Sequence, residues 1–210
     1  MRMPLVRVGG KGDGGIDLRG WWNIPNDTRQ QSRDDGEPTV LRRIRVLAQC
    51  KAEKKAPGPR LVREMEGVAR REYDLLKEES SHHRLSESGD TVTAGSSIVL
   101  DPVVALLCSS SGFSPAAVVE ANRSRTPMLL LHIPFDYQEM LLSTPDPITN
   151  AVDHELLENM PTTLQGAFCN AALMGNRGLL GNGWELRKEF SQDVLDPRFR
   201  IAMHLHGQPL

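Results

Sequence analysis

The sequence has few cysteines and contains no long apolar run. Its three cysteines, Cys50, Cys108 and Cys169, are widely spaced and form no CxxC motif. An odd number at such spacing argues against a disulfide framework and against a zinc ribbon, and it favours a reducing or disulfide-poor compartment. No stretch approaches the roughly 18 apolar residues that a membrane-spanning helix requires, so we expect no membrane span.

The first residues also lack the features of a targeting segment. They do not combine a basic start with the apolar run of a secretory signal peptide. No long amphipathic leader rich in arginine and serine precedes the glycine-rich stretch that begins at Gly9. We therefore expect neither a secretion signal nor a mitochondrial transit peptide within this chain.

The net charge of -2 conceals an uneven distribution of charge along the chain. Residues 1–77 contain 17 Lys and Arg against 11 Asp and Glu, whereas residues 78–210 contain 8 against 16. A basic half is typical of a surface that faces a polyanion such as nucleic acid. Chance clustering on solvated helix faces would give the same counts, so both interpretations stay open.

The length of 210 residues suits one domain, or one domain with an irregular extension. Hydrophobic periodicity predicts the order strand, strand, strand, helix, strand, helix, strand over residues 1–133. The predicted strands are 5–8, 16–22, 41–51, 99–108 and 128–133, and the helices are 60–79 and 112–124, the second with Ser114 as N-cap and Pro115 at its first position. Two apolar strands around a helix predict a parallel pair with a right-handed crossover.

Two segments are predicted to lie outside this core. The first is a polar insert at about 78–94, in which residues 80–89 form a linker that carries His82 and His83 in a solvated loop. The second is the region 134–210, rich in Pro, Gly and Asn, which we expect to be a partly irregular extension of unknown role. Short helices are predicted within it at 153–160 and 163–174.

A set of polar residues would meet at one edge of the predicted sheet. Gln49 and Lys51 are two apart on a strand and therefore share a face. If the second and third strands pair as a hairpin, Asp17 meets them at the strand end. The oxygens of Asp17 and Gln49 and the backbone carbonyl of Cys50 are hard ligands suited to Mg²⁺. An ordinary cluster of surface residues explains this spacing equally well when it is considered alone.

Three ordered motifs resemble one nuclease family. They are Gly14-Gly15-Ile16-Asp17 in the glycine-rich turn, Gln49-Cys50-Lys51 at a strand end, and SSSGFSPAA after the apolar run VVALLC. Together they resemble the Mrr-type branch of the PD-(D/E)XK nucleases. Within that branch the chain is most similar to the fungal "required for respiratory growth protein 7, mitochondrial" family. The resemblance spans roughly Gly9 to Ile133.

The resemblance implies a fold, an activity and a location. It implies an α/β restriction-endonuclease-like core over residues 1–133, with a mixed sheet flanked by helices. The family's first helix, which often carries a glutamate near the metal, is expected to be missing from this chain. The implied activity is a Mg²⁺- or Mn²⁺-dependent endonuclease that cuts DNA in mitochondria and supports respiratory growth. The alternative is a nuclease fold that binds nucleic acid or a protein partner without cutting. The oligomeric state stays open, with a dimer as one option.

The same resemblance assigns roles to individual residues. Asp17 would be the metal-binding acid, Gln49 would stand where many relatives have Glu, and Lys51 would be the catalytic lysine. The Cys50 carbonyl would complete the metal ligands, while its side chain is expected to point to the opposite face and into the core.

Further candidates flank this set. We expect nucleic-acid contacts from basic residues around the third strand, namely Arg42, Arg43, Arg45, Lys54 and Lys55. Asp13 is either a turn-stabilising residue or a second metal ligand. Arg63 and Glu64 would contact phosphate or the site, or lie on a solvated helix face. Of Trp21 and Trp22, one is expected in the core, and a tryptophan here could also stack on a base.

Overall fold

The structure is a computed structural model, and it describes residues 3–10, 14–25, 41–86, 101–134, 165–190 and 199–209. The first sheet contains β1 (Leu5–Arg7), β2 (Leu18–Pro25), β3 (Leu41–Lys51), β4 (Val103–Ser109), β5 (Met128–His132) and β6 (Gly166–Cys169). The helices are α1 (Pro59–Ser86), α2 (Pro115–Arg123) and α3 (Ala171–Met174). A second sheet contains β7 (Trp184–Phe190), β8 (Phe199–Leu205) and β9 (Gln208–Pro209).

The first sheet is mixed, as the sequence predicts. Its six strands lie in the order β1-β2-β3-β4-β5-β6. The outer pairs β1–β2, β2–β3 and β5–β6 are antiparallel, whereas β3–β4 and β4–β5 are parallel. Parallel neighbours need a crossover connection, and α1 and α2 supply the helices of the two crossovers. The expected α/β class, with a mixed sheet flanked by helices, is therefore confirmed.

The central strands are buried on both faces. On the helix face, Leu47 and Leu107 pack with residues of α1 and α2, including Val62 and Ala121. On the second face, alternate residues of the same strands pack against α3 and the second sheet. Because a strand that is covered on both faces buries every side chain, its sequence is a continuous apolar run, as in VVALLC of β4. This burial leaves the strand ends as the places where polar side chains collect.

Local sequence signals explain the two crossover helices. Ser114 caps α2 by accepting a hydrogen bond from the Ala117 N–H, and a proline lies at the start of the helix, as predicted. In α1 the apolar side packs on the sheet, with Leu76 against the core and Leu75 exposed. None of the helices in the described residues is both long and apolar enough to cross a membrane.

Two predictions differ from the structure: the end of helix α1 and the type of the element at residues 166–169. Helix α1 continues to Ser86, so residues 80–86, which include His82 and His83, are helical rather than part of a polar linker. Residues 166–169, predicted as helix, form β6, because their side chains alternate between the two faces of the sheet. Only the short helix α3 remains of the predicted helix 163–174 within the described residues. The predicted helix 153–160 lies outside the described residues.

Residues after 165 contribute to the same core as the first half. Strand β6 pairs with β5, and Leu173, Trp184 and Met203 are buried against the second face. Trp184 contacts Trp22 edge-to-face, with ring centroids 6.3 Å apart. Part of the segment predicted as a partly irregular extension packs on the second face of the first sheet.

A buried asparagine connects the end of α2 to β5 and α3. Asn170 is fully buried, and its side-chain oxygen accepts hydrogen bonds from the Met128 N–H at 2.9 Å and the Leu173 N–H at 3.0 Å. Its amide nitrogen donates to the carbonyls of Ala121, Ser124 and Thr126 at 2.9, 3.3 and 2.8 Å. One side chain thus satisfies buried and partly buried backbone groups from three segments.

Replacing Asn170 with alanine should destabilise the fold by roughly 2–4 kcal/mol, because several buried backbone groups lose their partners. Chemical denaturation of the purified protein measures the effect. Asn176, which is exposed, serves as the matched control, and its change to alanine should stay within about 0.5 kcal/mol. Equal stability of the two variants would contradict this role for Asn170.

Candidate functional site

The pairing of β2 with β3 brings Asp17 to the Gln49-Cys50-Lys51 segment. Asp17 lies one residue before β2, and the register pairs Leu18 with Ala48. Its N–H donates to the Ala48 carbonyl at 2.8 Å. Its carboxylate oxygen Oδ2 accepts the Cys50 N–H at 2.7 Å. Asp17 is therefore joined directly to Gln49-Cys50-Lys51, here called the QxK segment, across 33 positions of sequence.

Two glycines shape the approach to Asp17. The N–H groups of Val8 and Gly9 both donate to the Asp17 carbonyl at 2.9 Å. A Cβ atom on Gly9 would lie 3.1 Å from the carboxylate oxygen Oδ1, so glycine keeps that oxygen uncovered. Gly15 adopts φ +83°, a conformation that glycine accepts readily, and a Cβ there would lie 3.6 Å from the Gln49 amide nitrogen. Gln49 therefore lies beside the turn that precedes Asp17.

Strand alternation separates the side chains of the QxK segment. Gln49 and Lys51 lie on the helix face with Leu47, and Cys50 lies on the other. The Lys51 carbonyl accepts the Ser110 N–H at 3.0 Å, on the β4 side of the strand. The Cys50 backbone groups point to the β2 side, where its N–H meets Asp17. Its carbonyl therefore projects beyond the last paired residue of β2, next to the carboxylate.

This donor set fits a hard divalent cation. Asp17 has one carboxylate oxygen that is not used by Cys50, Gln49 has an amide oxygen, and Cys50 has its backbone carbonyl. The described residues contain no group of three or more His, Cys, Asp or Glu side chains that could hold a metal. A site here would therefore combine one carboxylate with neutral oxygens, as the sequence predicts.

The Cys50 side chain differs from the prediction in one respect. It lies on the face opposite Gln49, as expected, but it is exposed rather than buried. Its thiol lies against the thiol of Cys108, the residue directly opposite on β4. The hydrogen bond from Cys108 lowers the pKa of Cys50, against the opposing effects of burial and Asp17. That hydrogen bond and burial raise the pKa of Cys108.

An internal ion cluster occupies part of the basic surface. Glu72 of α1 is buried, and its Oε1 atom accepts from Arg19 at 2.6 Å and from Arg45 at 3.0 Å. Trp21 lies under the guanidinium groups of Arg43 and Arg45, at 3.8 and 4.8 Å from the ring centroid. The two ion pairs of Glu72 connect α1 to β2 and β3, and the two Trp21 contacts connect β2 to β3.

The other predicted nucleic-acid contacts differ in exposure. Arg42 donates to the Leu179 carbonyl at 2.6 Å and so has an internal partner. Arg43 pairs with Asp101 at 3.5 Å, and 55% of its side chain stays exposed. Lys54 and Lys55 are exposed on the loop that follows Lys51. These two lysines are therefore the best placed of the five to contact a polyanion beside the candidate site.

The remaining candidates lie apart from this centre or outside the described residues. Arg63 pairs with Glu120 at 3.2 Å and Glu64 pairs with Arg60 at 2.7 Å, which matches a solvated helix face. Asp13 lies outside the described residues. Trp22 is the tryptophan in the core, as one of the two was predicted to be.

Sequence reasoning missed Glu72 and Asn170, although both leave a signal. Glu72 lies four residues after Val68 and four before Leu76, at a core position of the helical repeat. A carboxylate at such a position indicates a buried partner of opposite charge. Asn170 directly precedes the short apolar segment AALM, which is an N-cap signal.

Comparison with known proteins concerns mainly this half of the chain. Residues 2–101 match the family model "Required for respiratory growth protein 7". The matched segment contains the glycine-rich turn, Asp17 and the Gln49-Cys50-Lys51 segment.

A curated relative adds a second similarity. The uncharacterised mitochondrial protein C824.03c of Schizosaccharomyces pombe is 46% identical over 63 residues, which is 30% of this chain. The match spans about a fifth (21%) of that relative's length. No solved structure matches the chain significantly. Both matches agree with the similarity to the respiratory-growth family that the sequence motifs indicate, and the printed name of the relative describes that protein as mitochondrial.

Changing Gly15 to alanine should destabilise the protein by about 1–2 kcal/mol, because an L-residue at a left-handed backbone conformation is strained. Chemical denaturation measures the loss. Gly67 of α1 is exposed with open space around it, and alanine there should stabilise by up to about 1 kcal/mol. If alanine is equally tolerated at both positions, the turn does not need the conformation described for Gly15.

Proposed function

We propose that this protein is a metal-dependent endonuclease that hydrolyses DNA phosphodiester bonds in mitochondria and so supports respiratory growth. One observation carries the proposal. The Asp17 carboxylate accepts the Cys50 N–H at 2.7 Å, and this contact ties the acid to Gln49-Cys50-Lys51. An acid, an amide oxygen and a lysine at adjacent strand ends match the order of the nuclease motif in the sequence.

The residues divide the chemistry between metal binding and charge stabilisation. Asp17, Gln49 and the Cys50 carbonyl would hold Mg²⁺ or Mn²⁺. A bound ion would supply Lewis-acid activation of the phosphate and of the attacking water. Lys51 lies on the same face as Gln49, and its ammonium group stabilises the negative charge that develops on the phosphoryl oxygens.

The DNA path follows from exposure and charge. Lys54 and Lys55 follow Lys51 on an exposed loop, so a phosphate backbone that reaches the site also reaches them. Arg43 lies on the same face of β3 as Lys51, eight residues earlier, and 55% of its side chain is exposed. Arg45 is less suited to this role, because it already binds buried Glu72 and has only 26% of its side chain exposed.

Three variants test the proposed catalytic residues. With Mg²⁺ and supercoiled DNA, Asp17→Asn should abolish cleavage, because the amide loses the charge that holds the metal. Lys51→Ala should lower the rate by a factor on the order of 10²–10³, the usual scale for one preorganised charge. Gln49→Glu should keep or raise the rate, because it adds an anionic ligand. Gel-based cleavage kinetics measure all three.

The exposed carboxylate of Asp74 provides the control for Asp17. It lies on α1, paired with Arg70, and Asp74→Asn should leave the cleavage rate unchanged. Unchanged cleavage by all three site variants would place the activity elsewhere. Metal-independent DNA binding with no cleavage by the unaltered protein would favour the alternative, a nuclease fold that binds without cutting.

The proposed DNA path predicts a specific salt dependence. DNA affinity should fall steeply as salt rises, and the double change Lys54→Ala/Lys55→Ala should reduce the slope of log K against log salt by about 1–2. Fluorescence anisotropy at several salt concentrations measures the slope. The exposed pair Arg187 and Lys188 on β7 gives a control with the same loss of charge. An equal change in both double variants would refute the assignment of the path to the loop after β3.

A further inference from the structure

We propose that Cys50 and Cys108 form a reversible thiol–disulfide pair that responds to hydrogen peroxide. The two residues lie directly opposite each other on the parallel strands β3 and β4. Neighbouring strands are about 4.8 Å apart, which falls inside the Cα–Cα range of about 4.4–6.8 Å that disulfides adopt. Because residues directly opposite each other on paired strands point to the same side, both side chains lie on the second face of the sheet, where Cys108 packs.

Exposure gives the two sulfurs different roles. Cys50 is exposed at the end of β3, so a small oxidant reaches its sulfur directly. Cys108 is half-buried and packs against the apolar cluster of the second face, so it is shielded from the oxidant but not from Cys50. Cys50 is therefore the thiol that peroxide oxidises to a sulfenic acid, and Cys108 is the thiol that resolves that sulfenic acid to a disulfide.

The reaction balances with peroxide as the only oxidant. The Cys50 sulfur attacks one peroxide oxygen, the O–O bond breaks, and one water leaves, which converts the thiol to a sulfenic acid. The Cys108 sulfur then attacks the Cys50 sulfur, the S–O bond breaks, and a second water leaves. Two thiols lose two electrons and two protons, and one peroxide is reduced to two waters. A thiol reductant reverses the change.

The third cysteine is an internal control. Cys169 lies on β6, two strands from β4 and three from β3. At about 4.8 Å per strand, its Cα is roughly 10 Å or more from the other two, beyond disulfide range without backbone movement. Burial also raises the pKa of Cys169 to about 12. Intramolecular oxidation should therefore leave Cys169 as a free thiol.

The location of the pair links it to the candidate site. Cys50 lies between Gln49 and Lys51, and its N–H holds the Asp17 carboxylate. A disulfide would join the end of β3 covalently to the end of β4 at this point. The pair itself depends only on the positions of the two thiols, so it stands whether or not the protein cleaves DNA.

Peptide mapping under non-reducing conditions tests the proposal. The purified reduced protein is treated with stoichiometric hydrogen peroxide, digested and analysed by mass spectrometry. We expect a Cys50–Cys108 linkage in the unaltered protein and in Cys169→Ser, and its disappearance after dithiothreitol. In Cys108→Ser the linkage should be absent, and dimedone should label Cys50 as the trapped sulfenic acid.

Several results would overturn the pair. They are unreacted thiols at Cys50 and Cys108, a linkage through Cys169, or disulfides only between chains. Circular dichroism establishes that both serine variants are folded, and labelling of Cys50 in Cys108→Ser provides a readout that does not require the disulfide to form. The assay needs neither metal nor DNA, so failure of the proposed cleavage would not affect it.

Discussion

Burial of the central strands on both faces is the constraint from which the rest of the architecture follows. Between Ile44 and Ala48, β3 contributes apolar side chains to both layers of the core, and only Arg45 interrupts the run. A strand in this position can carry hydrated polar side chains only where the covering layers end. The candidate site lies at such an end, where β3 and β4 emerge from between the layers. Among the described residues, Gly9 and Gly15 of the glycine-rich turn lie against this edge, beside Asp17 and Gln49.

The same constraint determines how much of the basic charge is free to meet a partner. The first 77 residues carry an excess of Lys and Arg, but Arg19 and Arg45 are held by one buried carboxylate on α1. The guanidinium group of Arg43 stacks on the Trp21 ring, so part of its charge is already engaged by a cation–π contact within the protein. Arg19 and Arg45 thus connect the helix layer to β2 and β3. A count of charges along the sequence therefore overstates the positive field that an external polyanion meets, and the exposed loop lysines are the clearest exception.

The sequence predicts those parts of the fold that local patterns specify. Alternation along β3, the N-cap of α2 and the apolar runs of β4 and β5 are each visible within about ten residues, and each agrees with the structure. The direct contact of Asp17 with the QxK segment depends on register between distant strands, so spacing alone could suggest it but not establish it. Strand β6 and the second sheet were not foreseen. Residues of these short strands are buried by contacts with distant parts of the chain, which a local sequence pattern does not reveal. Asn170 is an example, because its side chain bonds to the Ala121 carbonyl 49 positions earlier.

Cys50, the middle residue of the QxK segment, has its backbone groups on the side of Asp17 and its side chain on the face of Cys108. Its backbone faces Asp17, so the peptide groups of Cys50 belong to the candidate metal centre whatever the side chain is. Its side chain lies on the opposite face, opposite Cys108, and is not one of the proposed metal ligands. Side-chain chemistry at this position can therefore change without altering the donor set. A thiol here can respond to an oxidant within a few ångströms of the site while Gln49 and Lys51 keep their own face of the strand.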